Sequence, residues 1–164
     1  MKKLLYRLVT GALLLTWMGG IFWFSAQPAT ESEEISGSVS YRVVEVCNRI
    51  FDKDMTEAAV LLWANRIDHP IRKAAHMTEY AVLAFLVGVC MLGYLDREKK
   101  IYLSALFFAA SYAVTDEIHQ LYVVGRAGRF SDVCIDTLGA ATGLLLFGIV
   151  LKLVKSIAKS RGFH

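Results

Sequence analysis

The sequence is poor in proline and cysteine. Only two prolines occur among 164 residues, while 55% of the residues are hydrophobic. This composition excludes a disordered chain, a linker and a collagen-like fibre. The three cysteines, Cys47, Cys90 and Cys134, form no CxxC pattern. We expect them to be small apolar residues, with a bond between Cys47 and Cys134 as the alternative. A serine nucleophile elbow, a P-loop and a dinucleotide fingerprint are also missing, so the corresponding soluble-enzyme mechanisms have no support.

Charge is absent from four long stretches, which cover residues 8–24, 80–95, 101–115 and 137–151. A helix that crosses the hydrocarbon core needs about 20 mostly apolar residues, and each stretch reaches that length when polar neighbours are included. We therefore predict an all-α membrane protein with four transmembrane helices, at about 5–25, 72–95, 101–120 and 132–153. A soluble bundle is disfavoured because four such stretches are too many for a soluble core of this size. The first stretch is too long for the ~7–15 apolar residues of a signal peptide, so we expect it to stay uncleaved.

The distribution of basic residues predicts that both termini are cytoplasmic. In this orientation the cytoplasmic side holds ten of the 18 basic residues: Lys2, Lys3, Arg7, Arg97, Lys99, Lys100, Lys152, Lys155, Lys159 and Arg161. Arg126 and Arg129 lie in a short loop on the opposite side. They count against the orientation unless partners hold them there.

Residues 26–70 form a polar segment between the first two predicted spans, and we expect it to be extracytoplasmic. Apolar residues recur along it at intervals of three and four, as in an amphipathic helix: Ile35, Val39, Val43, Val46 and Ile50. Asp54, followed by Glu57, resembles a capping box that starts a second helix. Asp68 and Pro70 suit the start of the next spanning helix. The segment thus predicts two helices that lie on the membrane or over the bundle.

Polar residues gather at one end of three predicted spans. On the second span, Arg72, His76, Glu79 and Tyr80 share one face; the third span ends with Asp116, Glu117, His119 and Gln120, and the fourth begins with Ser131, Asp132 and Asp136. The alternating topology places these three groups at the same membrane level. A charge at bilayer depth costs at least ~2.5–3.5 kcal/mol, so the carboxylates should face the protein interior or a wet cavity.

Several functions fit this constellation. One is a pocket for a phosphorylated lipid or cell-wall precursor, in which His76, Glu79, Asp116 and Glu117 are the acid–base candidates. The binding candidates are Arg72, Gln120, Arg126, Arg129, Asp132 and Asp136. The alternatives are an ion-pair network that only fixes helix order, a metal site at ligand types such as His76 and Glu79, and proton or ion transport. The expected partners are the lipid bilayer and the anionic ligand, not nucleic acid. The sequence identifies no particular cofactor.

The sequence resembles the VanZ-like family of bacterial membrane proteins. The resemblance rests on the order and spacing of several short motifs: Phe24-Ser25-Ala26-Gln27-Pro28, Arg72-Lys73 with His76 and Glu79-Tyr80, Thr115-Asp116-Glu117 with Gln120, and Gly125-Arg126 with Arg129, Asp132, Asp136 and Gly139. It implies a multi-pass protein of the bacterial cell membrane that lowers susceptibility to teicoplanin-type glycopeptides and lipoglycopeptides. It supplies no reaction. The family often has Asn at the position of Asp136.

Overall fold

The computed structural model describes residues 1–160, which form five α-helices and no strand. The helices are α1 (Lys2–Ser25), α2 (Ala29–Ile50), α3 (Glu57–Met91), α4 (Glu98–Gln120) and α5 (Phe130–Ser160). Four of them, α1, α3, α4 and α5, are long and apolar enough to cross a membrane. The predicted all-α membrane protein with four spanning helices is therefore confirmed. Arg161, which the orientation argument counted, lies outside the described residues.

Helices α3 and α5 form the centre of the bundle, and two glycines of α5 let their backbones touch. A Cβ atom added at Gly139 would overlap the carbonyl oxygen of Met77, and one added at Gly143 would overlap that of Ala81. Small residues at this spacing are the usual means of close helix packing in membranes. Gly139 and Gly143, four residues apart on α5, thus form a GxxxG packing motif.

The N-terminal helix α1 is tied to its neighbours by hydrogen bonds from aromatic side chains. The indole of Trp17 donates to the carbonyl of Glu79 on α3 at 3.0 Å, and the hydroxyl of Tyr112 on α4 donates to the carbonyl of Met18 at 2.8 Å. Few polar partners exist within a bilayer, so such bonds fix the position of a helix that has little buried surface of its own.

The second predicted span begins much earlier than expected. Helix α3 starts at Glu57 rather than near residue 72, continues through Pro70, and ends at Met91 rather than 95. The inference that Asp68 and Pro70 start a helix was therefore wrong. Proline inside a helix removes the hydrogen bond to the carbonyl four residues earlier. Here Pro70 is exposed, which leaves that carbonyl, of Arg66, access to solvent.

Packing against α2 holds the first part of α3 helical. Val60 and Ala64 of α3 form a small core with Val44 of α2, so the turns before Pro70 are stabilised by tertiary contacts. The helix cap is also displaced from the predicted capping box. Thr56 is the N-cap, and its side chain accepts a hydrogen bond from the amide of Ala59, whereas Asp54 lies in the preceding turn with φ of 45°.

Helix α2 is confirmed as a helix, but most of its apolar stripe stays exposed. The buried residues of α2 are Ser36, Ser40 and Val44, and Ser40 donates to the Asp68 carboxylate at 3.3 Å. The stripe from Ile35 to Ile50 is 41–70% exposed. Helix α2 therefore buries Ser36, Ser40 and Val44 against α3 and leaves its apolar stripe only partly covered by residues 1–160.

The two ends of the bundle differ in chemistry. At the basic end, Arg7 donates to the carbonyl of Gly93 at 2.9 Å and stacks over Tyr94, and Lys155 pairs with Glu98. At the polar end, α1 and α4 end and α5 begins. The candidate site lies at the polar end.

Candidate functional site

The polar end contains a cavity of about 270 Å³, which we call the polar cavity. Its lining combines α2, α3, the α4–α5 loop and the first turn of α5: Ala29, Glu33, His69, Arg72, Lys73, His76, Gln120, Gly125, Arg126, Ala127, Arg129 and Asp132. Four of these side chains are permanently cationic and two are carboxylates. The cavity lining is thus basic on balance, and it brings together six of the ten predicted site residues: Arg72, His76, Gln120, Arg126, Arg129 and Asp132.

One ion pair joins α3 to α5 across this cavity. Lys73 contacts Asp132, and the two side chains are only 22% and 17% exposed. Asp132 lies in the first turn of α5, where the helix dipole also favours a negative charge. The sequence placed Asp132 among the binding residues but did not assign it a partner.

Arg72 is held by two acidic residues that the sequence analysis did not assign to the site. Its guanidinium lies 2.7 Å from the carboxylate of Asp68 and 3.5 Å from that of Glu33 on α2. The spacing of Asp68 and Arg72, one helical turn apart, could have indicated the first contact. Glu33 comes from a different helix, and no local pattern indicates its position.

Arg126 anchors the α4–α5 loop to the end of α1. Its guanidinium donates to the carbonyls of Gln27 at 3.0 Å and Phe24 at 3.3 Å. Burial and then the nearby Arg72 lower the pKa of Arg126 below its usual range, while the carboxylates of Asp116, Glu117 and Glu79 act in the opposite direction. The group stays cationic at neutral pH. The position of Arg126 in this loop counted against the predicted orientation unless partners held it there. The carbonyls of Gln27 and Phe24 are such partners.

Glu117 fixes the other end of the same loop. Its carboxylate accepts a hydrogen bond from the backbone amide of Arg129 at 2.7 Å, and a Cβ atom at Gly128 would overlap its carbonyl oxygen. Glu117 is buried and does not line the polar cavity. The structure therefore gives this predicted acid–base residue a contact that holds the loop. The side chain of Arg129 is exposed at the cavity.

Asp116 and Asp136 lie deeper in the bundle. Both are buried, at 4% and 1% exposure. Gln120 links Asp116 to Ser25 of α1, with distances of 3.3 and 3.2 Å from its amide nitrogen. One oxygen of Asp136 and the hydroxyl of Tyr80 have no hydrogen-bond partner within residues 1–160. Neither aspartate lines the polar cavity.

A second cavity of about 230 Å³ adjoins the first, and we call it the apolar cavity. The apolar side chains that line it where α1, α2 and α3 meet are Phe24, Ile35, Val39, Ile71 and Ala75. The polar lining residues are Gln27, Ser32, Ser36, Arg72, His76, Glu79 and Arg126, but most of the lining surface is apolar. His76 lines both cavities, and its Nδ1 lies 3.6 Å from the Glu79 carboxylate. These two acid–base candidates therefore lie at the junction of the cavities.

Metal ligands are not clustered at the polar end. Across residues 1–160, no three His, Cys, Asp or Glu side chains are placed to hold a metal ion. His119, one of the ligand types noted in the sequence, stacks on Phe22 with ring centroids 4.4 Å apart and lines neither cavity.

No curated protein and no solved structure matches the sequence. The family model described as VanZ/LLP1 matches residues 10–151. This range contains all of α2, α3 and α4, the end of α1 and the start of α5, and with them every residue that lines the two cavities. The family motifs and the buried polar residues thus coincide in space, and the chain belongs to the VanZ/LLP1 family of membrane proteins.

Proposed function

We propose that this protein binds an anionic amphiphile of the bacterial cell envelope, a lipid or a lipid-linked cell-wall precursor, in the polar cavity. Binding there lowers susceptibility to teicoplanin-type glycopeptides and lipoglycopeptides, as the family resemblance implies. The observation that carries the proposal is the lining of the cavity, where Arg72, Lys73, Arg126 and Arg129 outnumber Glu33 and Asp132. Arginine and lysine side chains that converge on a cavity are suited to phosphate or carboxylate groups.

Arg129 has the clearest role in this proposal. Arg72, Lys73 and Arg126 already contact carboxylates or carbonyls of the protein, whereas the Arg129 guanidinium forms no hydrogen bond within residues 1–160 and is exposed at the cavity. It therefore has donors to offer a ligand. His76 and Glu79, at the junction of the cavities, form the acid–base pair that any conversion of the bound ligand would use.

Replacing Arg129 with glutamine is expected to weaken binding of phosphatidic acid about tenfold, because hydrogen bonds to charged groups contribute about 1.5–3 kcal/mol. The purified protein would be titrated with phosphatidic acid in detergent, and glycopeptide susceptibility would be measured at equal membrane abundance. The matched control is Arg42→Gln, which removes the same charge from an exposed site on α2 outside both cavities. Equal affinities of the two variants would refute an anion site at Arg129.

The proposal also requires the polar end to face the outside of the cell. A cysteine at Tyr122, which is 84% exposed in the α4–α5 loop, should then react with a membrane-impermeant maleimide in intact cells. Cys47 and Cys134 are exposed and would first be changed to serine. A cysteine at Asp96, in the turn at the basic end, should react only after permeabilisation. The reverse pattern would overturn the orientation and the outward-facing cavity.

A second reading is an ion-pair network that only stabilises the bundle. The contacts of Lys73 with Asp132 and of Arg72 with Asp68 favour it, since partly buried pairs can fix how helices pack without any ligand. The two readings differ in the affinity that they predict when the charges are removed and stability is restored: a ligand site loses affinity, whereas a purely structural ion pair does not affect it.

A further inference from the structure

We propose that the ligand of the polar cavity carries a hydrocarbon chain and that this chain lies in the apolar cavity, between α1, α2 and α3. The inference deepens the proposed function and rests on it. It adds to the proposed anionic amphiphile a site for its chain, so that head and chain occupy the adjoining polar and apolar cavities.

The two cavities share a wall. Arg72, His76 and Arg126 line both, so a group bound to these side chains in the polar cavity lies next to the start of the apolar cavity. The change from charged to apolar lining occurs across these three residues. An amphiphile has its charged and apolar parts in the same order, a charged head followed by an apolar chain. It therefore fits the pair of cavities in one orientation.

The walls of the apolar cavity are apolar side chains that the protein itself leaves uncovered. Phe24 is 51% exposed, Ile35 is 50% exposed and Val39 is 44% exposed. Helix α2 buries Ser36 and Ser40 against α3 instead, so the surface of these apolar side chains is available to a ligand. A chain placed between Phe24, Ile35 and Val39 would cover this surface.

The occupant is more specific than bulk lipid around the helices. Lipid that only surrounds the bundle is not held with one end of its chain beside two arginines and a histidine. Pockets that combine an apolar wall with a few converging polar groups bind ligands in a defined orientation. The charged end of the apolar cavity therefore indicates a chain that is attached to an anionic head.

The test compares two phosphatidic acids that share a head and differ in chain length, the dihexanoyl and dioleoyl forms. Dissociation constants would be measured for the wild-type protein and for the double variant Ile35→Trp and Val39→Trp, which fills the apolar cavity with larger side chains. We expect the preference for the longer lipid to fall about tenfold in this variant, the factor that burial of roughly two methylene groups contributes. Affinity for the short lipid should change less than the affinity for the long one.

A matched control lies on the same stripe of α2. Val46 and Ile50 are 52% and 70% exposed and line neither cavity, so Val46→Trp with Ile50→Trp adds the same bulk elsewhere. Partitioning of the lipids into detergent is the same for every variant, so the change in preference is the informative quantity. If both double variants keep the wild-type preference, or lose it equally, the chain does not lie in the apolar cavity.

Failure of the proposed function has a different signature. If the wild-type protein binds dioleoyl phosphatidic acid no more tightly than dioleoyl phosphatidylcholine, the polar cavity does not select an anionic head. The proposed function and this inference then fall together. If the anionic lipid is preferred but the Ile35 and Val39 variant keeps its chain-length preference, only the inference fails.

Discussion

Gly143→Ala is expected to destabilise the protein by about 3 kcal/mol, at the upper end of the range for overpacked interiors. The added Cβ atom would overlap the carbonyl oxygen of Ala81 on α3. The obstacle is backbone rather than the end of a flexible side chain, so α3 and α5 must move apart along their contact. That movement removes dispersion contacts on both sides of the glycine.

The measurement is thermal unfolding of the purified protein in detergent, together with its abundance in membranes. A change of about 3 kcal/mol corresponds to a fall in Tm of about 10 °C for a chain of this size. Gly19→Ala is the matched control, because Gly19 is also helical and a Cβ atom there meets nothing within 4 Å. If Gly143→Ala unfolds at the same temperature as Gly19→Ala, the α3–α5 backbone contact is not a determinant of stability.

Lys73→Met is expected to destabilise the protein by about 2–3 kcal/mol, because it leaves Asp132 partly buried without its cation. Removal of one member of a fully buried pair costs more, about 3–5 kcal/mol, and the remaining exposure of 22% and 17% reduces the effect here. Asp132→Asn should destabilise less, since Lys73 can extend its amine towards solvent in the cavity. Both effects would be measured by thermal unfolding.

The double variant Lys73→Met and Asp132→Asn separates the two readings of the polar end. Because both charges are removed together, the double variant should lose less stability than the two single variants lose in sum. The difference in a double-mutant cycle should be about 1–2 kcal/mol. Its affinity for phosphatidic acid should nevertheless be lower than that of the wild-type protein, because one of the four cations of the cavity lining is missing. A double variant with both wild-type stability and wild-type affinity would show that the pair has only a structural role.

The sequence predicts the spanning helices well because each depends on local composition. The charge-free stretches 8–24 and 137–151, for example, are long enough to define a helix without knowledge of its neighbours. The gathering of Arg72, Gln120 and Asp132 at one cavity could also be predicted, since alternating spans place those helix ends together. Both arguments use only the period of a helix and the thickness of a bilayer.

The parts that could not be predicted depend on contacts between distant residues. Helix α3 continues through Pro70 because Val60 and Ala64 pack against Val44 of α2, and no local rule indicates that packing. The same holds for Glu33, which reaches Arg72 from another helix. The separation of Glu117 from the cavity was also not evident. Its hydrogen bond to the Arg129 amide depends on the path of the α4–α5 loop.

The close α3–α5 contact also limits the routes by which the proposed ligand could enter. Gly139 and Gly143 bring the two backbones together, and Lys73 with Asp132 joins them at the polar end, so the walls that these helices supply are fixed relative to each other. Helix α2 and the α4–α5 loop supply the opposite walls, and single side chains such as Glu33 and Arg126 hold them in place. The proposed lipid would therefore enter sideways from the bilayer, past α2, rather than by separation of the central helices.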